Sequence, residues 1–114
     1  MASVEELREI ALALPEAEER ETWGRPTFRV RDRIFAMLSD DGASASVKAT
    51  KDEQAALLAE EPEIFSFPAY VGRHGWVGVD VTRVDPGHLR ELLTDAWRLT
   101  APKRLVRAYE GQAY

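Results

Sequence analysis

The stretch Trp23–Leu38, WGRPTFRVRDRIFAML, decides the fold. Thr27, Arg29 and Arg31 alternate with Phe28 and Val30, the period-two pattern of a half-buried strand with the two apolar residues inward and the arginines outward. After Asp32-Arg33 a second β-prone run follows, Ile34-Phe35-Ala36-Met37-Leu38, so the whole stretch predicts a β-hairpin about a short charged turn. Pro26 suits the first residue of a strand, where a missing N–H interrupts no central ladder.

Working outward, Ser3 and Glu6 form a capping box ahead of a helix bearing Val4, Leu7, Ile10, Ala11 and Leu14 on one face, and Pro15 stops it. Glu16–Arg20 is expected to be a polar connection, with Glu21-Thr22-Trp23 starting a strand before Gly24. Asp40-Asp41-Gly42 signals a turn into a third strand, Ala43–Ala49, whose small residues leave room for something packed nearby. Thr50 and Glu53 make a second capping box for a helix over Lys51–Glu60, ended by Pro62. Gly72-Arg73-His74-Gly75 predicts the tip of a second hairpin. Beyond it Val77, Val79 and Val81 alternate with Trp76, Asp80 and Thr82, and Gly78 suggests close approach of another group. Asp85-Pro86 opens a last long helix with Leu89, Leu92, Leu93, Ala96 and Trp97 as its stripe, and Lys103–Tyr109 adds a short basic helix. Short strands with helices at both ends argue for an α+β two-layer sandwich: one antiparallel sheet packed by N- and C-terminal helices, in one domain over residues 1–114.

The 114 residues contain no cysteine, which excludes disulfides, thiolate metal sites and a cysteine nucleophile, and suits a reducing cytoplasm. MASVEELREI is acidic and polar, unlike a signal peptide, and no apolar run approaches the ~20 residues a membrane helix needs. A cytoplasmic, monomeric protein is expected. The net charge of −5 is unevenly spread: residues 1–19 and 52–66 each carry −5, while residues 20–51 carry +3 and the last fifteen +2. That pattern sets a basic centre between acidic segments, or helices bearing solvated acids beside arginine-bearing strands.

No catalytic constellation emerges. His74 and His88 are the only histidines, no nucleophile signature is present, and Gly72-x-x-Gly75 is too short for a phosphate loop, so a non-enzyme without cofactor is expected. The exposed arginines offer guanidinium forks suited to phosphate oxygens, and Trp76 could stack or wedge.

Laid out in this order, the chain resembles the MmcQ/YjbR family, small bacterial proteins with a frataxin-like (CyaY-like) α/β sandwich. The resemblance rests on Leu14-Pro15, the Trp23-Gly24-Arg25-Pro26-Thr27-Phe28 run with its hairpin, the Pro68-Ala69-Tyr70 turn, the Gly75-Trp76 strand start and the Leu-rich last helix. It implies DNA binding through a "double wing" of two β-hairpins, here Arg25–Arg33 and Tyr70–Trp76, with Arg25, Arg29, Arg31, Arg33, Arg73, His74 and Trp76 as contacts. The expected partner is duplex DNA, bound weakly and with little sequence preference. The acidic net charge departs from that role. A second implication of the frataxin-like fold is weak metal binding by acids of the first helix, where Glu5 and Glu9 share a face at i, i+4. Apart from the resemblance, the chain also reads as a non-enzymatic interaction module for another partner. A continuous stripe of the five arginines would favour DNA, and acid partners for each would count against it.

Overall fold

The Ser3 hydroxyl accepts the backbone N–H of Glu6 at 3.1 Å, and this cap starts helix α1, Val4–Leu12. A computed structural model describes residues 2–111. Leu7 and Ala11 bury the inner face of α1. The chain then reverses through Glu16, which has positive φ, into strand β1, Ala17–Thr22. This strand occupies the segment expected to be a polar connection. As the sheet's outer strand it needs no apolar alternation, and its charges discourage pairing with another chain's edge.

The central hairpin is present as β2, Arg25–Val30, and β3, Arg33–Leu38. Two-residue turns join β1 to β2 and β2 to β3, with positive φ at both central residues of each: Trp23 and Gly24, then Arg31 and Asp32. Such turns match the right-handed twist of the flanking strands, which offsets the cost of placing non-glycine residues there. Strands β4, Ser44–Val47, β5, Phe65–Ser66, and β6, Val77–Asp80, complete an antiparallel sheet of order β1-β2-β3-β4-β6-β5.

Register assigns the two faces. Phe28, Ala36, Val47 and Val77 lie side by side across four strands, and Leu38, Ala45, Val79 and Phe65 form the next row. All eight are buried. A bulge at Phe28/Arg29 allows consecutive Phe35 and Ala36 both to be buried. Helix α3, Pro86–Thr100, covers these rows and packs on α1. Asp85 caps it by accepting the N–H groups of Gly87 and His88 at 2.9 and 3.2 Å. Helix α2, Lys51–Glu60, sits beside β5, and helix α4, Lys103–Gly111, half-buries Leu105, Val106 and Tyr109 against the core. No helix among the described residues is long and apolar enough to cross a membrane.

With all the core-covering helices on one side, the opposite face of the sheet has no helical layer. Its central row runs Arg20, Thr27, Met37, Ser46, Gly78, Ser66.

Candidate functional site

That bare face forms the floor of an open cleft of about 960 Å³. Small side chains make the depth: Ser44 and Ser46 on β4, Gly78 on β6 and Ser66 on β5. A Cβ at position 78 would collide with the Ser66 hydroxyl, so the close approach suggested by Gly78 is that of the neighbouring strand. Ile34, Met37 and Ile64 supply half-buried apolar surface, and Thr22, Thr27 and Ser39 add hydroxyls.

Two aromatic side chains stand at opposite margins of this floor. Trp23, in the β1–β2 turn, is 98% exposed, and Tyr70, in the connection from β5 to β6, is 93% exposed. Both have positive φ, 53° and 64°, a conformation bulky residues rarely adopt. The loop bearing Tyr70 is pinned from behind. Gln54 of α2 is buried, and its side-chain amide donates to the carbonyls of Gly72 at 2.7 Å and Trp76 at 2.6 Å. The Phe67 ring lies over Gly72, where any Cβ would overlap it.

The structure separates the expected DNA-contacting residues. Arg25 and Arg29 share the cleft face, but Arg25 Nη2 bonds Asp40 at 3.1 Å. Arg29 is held by hydroxyls, donating to Thr22 Oγ1 at 2.7 Å and Thr27 Oγ1 at 3.3 Å. Arg31 lies in the β2–β3 turn and forms a two-point bond to Glu16, lowering that carboxyl below its usual range. Arg33 pairs with Val30 and therefore lies on the helix-covered side of the strand. Residues 67–76 connect the antiparallel pair β5 and β6, so the second wing is a hairpin connection, but a long one without a tight tip: residues 72–74 form a 3₁₀ turn, and Trp76, expected on the surface, is 9% exposed. Gly75 allows this, because its φ is +99° and a Cβ there would sit 2.7 Å from the Ala49 carbonyl oxygen. Arg73 and His74 remain exposed, at the far side of the sheet from the first hairpin. The five arginines form no continuous stripe.

The first-helix acids are likewise dispersed. Arg8 bridges Glu5 at 3.0 Å and Glu19 at 2.8 Å, and no group of three or more His, Cys, Asp or Glu converges to hold a metal among the described residues. His88 packs edge-on against Phe65, outside the cleft. Sequence reasoning missed Trp23 and Tyr70 as site residues. The signal available for Trp23 was its place beside glycine in a two-residue link between strands.

The fold and sequence have known counterparts. A crystal structure of the Deinococcus radiodurans protein DR2400, with a DUF419 domain, superposes with a TM-score of 0.76 at 24% identity, covering 87% of this chain and 78% of that one. Uncharacterised proteins of Mycobacterium tuberculosis and Mycobacterium bovis are each 28% identical over 91 residues, spanning 76% of this chain and 70% of theirs. The YjbR family model matches residues 12–99, from the end of α1 through nearly all of α3 and so across the whole sheet that floors the cleft; this chain belongs to the YjbR family.

Proposed function

We propose that the protein is a non-catalytic binding module whose working surface is the cleft on the bare face of the sheet. One observation carries this: a concave, partly apolar floor flanked by two almost fully exposed aromatic side chains, Trp23 and Tyr70, each held at positive φ. Exposed aromatics leave their hydrophobic area in water, a cost that ligand contact would recover, and pockets of this size suit small molecules or short segments. A fragment panel followed by amide and indole chemical shifts should give binders that perturb Trp23, Thr27, Met37 and Tyr70. Ser46→Trp, which fills the floor without touching the helix-covered core, should weaken those binders at least tenfold while changing stability by less than about 0.5 kcal/mol. Binders that map elsewhere, or that tolerate the filled floor, would reject the proposal.

A second reading, duplex DNA bound through phosphates, draws on Arg29, Arg33 and Arg73, which make no ion pair among the described residues. With Arg25 and Arg31 engaged by acids, at most three of the five arginines are free to neutralise phosphate. The log–log salt slope of any duplex binding should then be about −2.7, falling by roughly one unit in Arg29→Ala. Absence of binding at low salt would dispose of this reading and leave the cleft unaffected.

A further inference from the structure

We infer that the cleft takes a neutral oligosaccharide, laid across the strands with one sugar ring on Trp23 and another on Tyr70. This rests on the cleft being the binding surface, and it adds the class of ligand.

The charges around the cleft select no ion of either sign. Asp40 is paired with Arg25 at 3.1 Å and Asp80 with Arg83 at 3.5 Å. The Asp41 carboxylate is taken up within its own turn, where it accepts the N–H groups of Ala43 at 2.9 Å and Ser44 at 3.0 Å and the Ser44 hydroxyl at 2.8 Å. Glu63 and Arg29 make no ion pair among the described residues, and they are opposite in sign. Recognition therefore falls to uncharged groups.

Those groups are hydroxyls and aromatic rings. On the floor, Ser39, Ser46 and Ser66 make no side-chain hydrogen bond among the described residues, and none of their oxygens is buried without a partner. Each hydroxyl therefore has a donor and an acceptor to offer a ligand. The Ser66 Oγ stands over Gly78, in the space a Cβ would take, so the glycine keeps this hydroxyl on the floor. The main chain beneath has nothing to add, because β3, β4 and β6 are each hydrogen-bonded on both sides. An extended peptide, which joins a sheet through free edge groups, finds none here. A polyol finds serines that both donate and accept, as its own hydroxyls do.

The rings supply the rest. A pyranose presents a face of C–H bonds that packs on the electron-rich face of an aromatic ring and buries apolar area of both. Trp23 and Tyr70 are 98% and 93% exposed, so nearly their whole area is there to be covered. Trp23 lies in the β1–β2 link and Tyr70 in the β5–β6 link, about four strand spacings apart, on the order of 15–20 Å. One sugar ring cannot reach both. A linear chain of several can, with its middle hydroxyls over Ser46 and Ser66.

The test titrates neutral tetrasaccharides of glucose, mannose, galactose and N-acetylglucosamine, and the four monosaccharides, against the Trp23 indole and Tyr70 ring signals. At least one tetrasaccharide should move both sets of signals and bind at least tenfold more tightly than its monosaccharide. Its affinity should be the same at low and high salt. Trp23→Ala and Tyr70→Ala, each read from the remaining aromatic, should weaken it at least tenfold. Trp23→Tyr should weaken it only a few-fold, and Ser66→Ala several-fold. A monosaccharide that binds as tightly as the tetrasaccharide, or an affinity that falls with salt, would overturn the assignment while leaving the cleft as a binding surface. Failure of every tetrasaccharide, with cleft binders still found in the fragment panel, would have the same meaning. Failure of the saccharides and of the panel together would remove both the ligand class and the cleft.

Discussion

Trp97→Ala is expected to lower the unfolding free energy by about 3–5 kcal/mol, the largest loss from any single truncation in the core. Trp97 is fully buried near the C-terminal end of α3, and it joins three parts of the chain. Its indole N–H donates to the Pro15 carbonyl at 3.0 Å, fixing the turn that leaves α1. Its ring meets Tyr109 of α4 edge-on at 5.1 Å between centroids. Alanine would leave a cavity that three separate elements border, and such a site collapses poorly. Trp97→Phe keeps much of the volume and the aromatic edge but leaves the Pro15 carbonyl unpartnered, so it should cost less, about 1–3 kcal/mol. Urea melts of the two variants, with unchanged denaturant slope, check this ordering. A loss below about 1 kcal/mol for alanine would mean that α4 and the Pro15 turn are held independently of this ring.

The parts legible in the sequence are those specified by local pattern. The capping pairs Ser3/Glu6 and Thr50/Glu53 mark α1 and α2, and Asp85-Pro86 marks α3, because each cap is a short-range hydrogen bond. The Phe28/Val30 alternation marks β2 because its inner face meets the core. Strand β1 was not legible: one face of AEERET looks onto the bare side of the sheet, and on the other Glu19 answers Arg8 rather than an apolar group. The supposed row of arginines broke at Arg31, where positive φ turns the chain and ends the alternation. In the connection between the paired strands β5 and β6, two glycines suggest a tight tip but serve tertiary contacts instead. Gly72 serves the Phe67 ring and Gly75 a close pass by the Ala49 carbonyl, neither visible from neighbouring residues. The cleft was hidden for the same reason. Ser46, Gly78 and Ser66 are each unremarkable in sequence and become a floor only when strand register sets them side by side.

Gln54→Leu should be the most costly polar substitution, about 2–4 kcal/mol, and it should also impair the cleft. Leucine is close to glutamine in volume but donates nothing, so the Trp76 carbonyl loses its side-chain partner in a buried setting, at roughly 1–3 kcal/mol, while the Gly72 carbonyl keeps the Gly75 N–H at 3.0 Å and loses a smaller amount, about 1 kcal/mol. Those two bonds are the side-chain ties from α2 to the loop that carries Tyr70, so hydrogen exchange over residues 67–76 should accelerate more than exchange in α3. Gln54→Glu separates the hydrogen bonds from mere packing. An ionised carboxylate cannot donate and would face two carbonyl oxygens, so its folded-state pKa should be raised above its unfolded value. The sign follows by linkage. The protonated acid can donate once, so stability should be greatest below the unfolded pKa and decline as pH rises through the folded one. Wild type, with a neutral amide at this position, should lack that component. If Gln54→Glu matched wild type at neutral pH, the amide would not be holding the loop, and the wall of the cleft would owe its position to Phe67 over Gly72 alone.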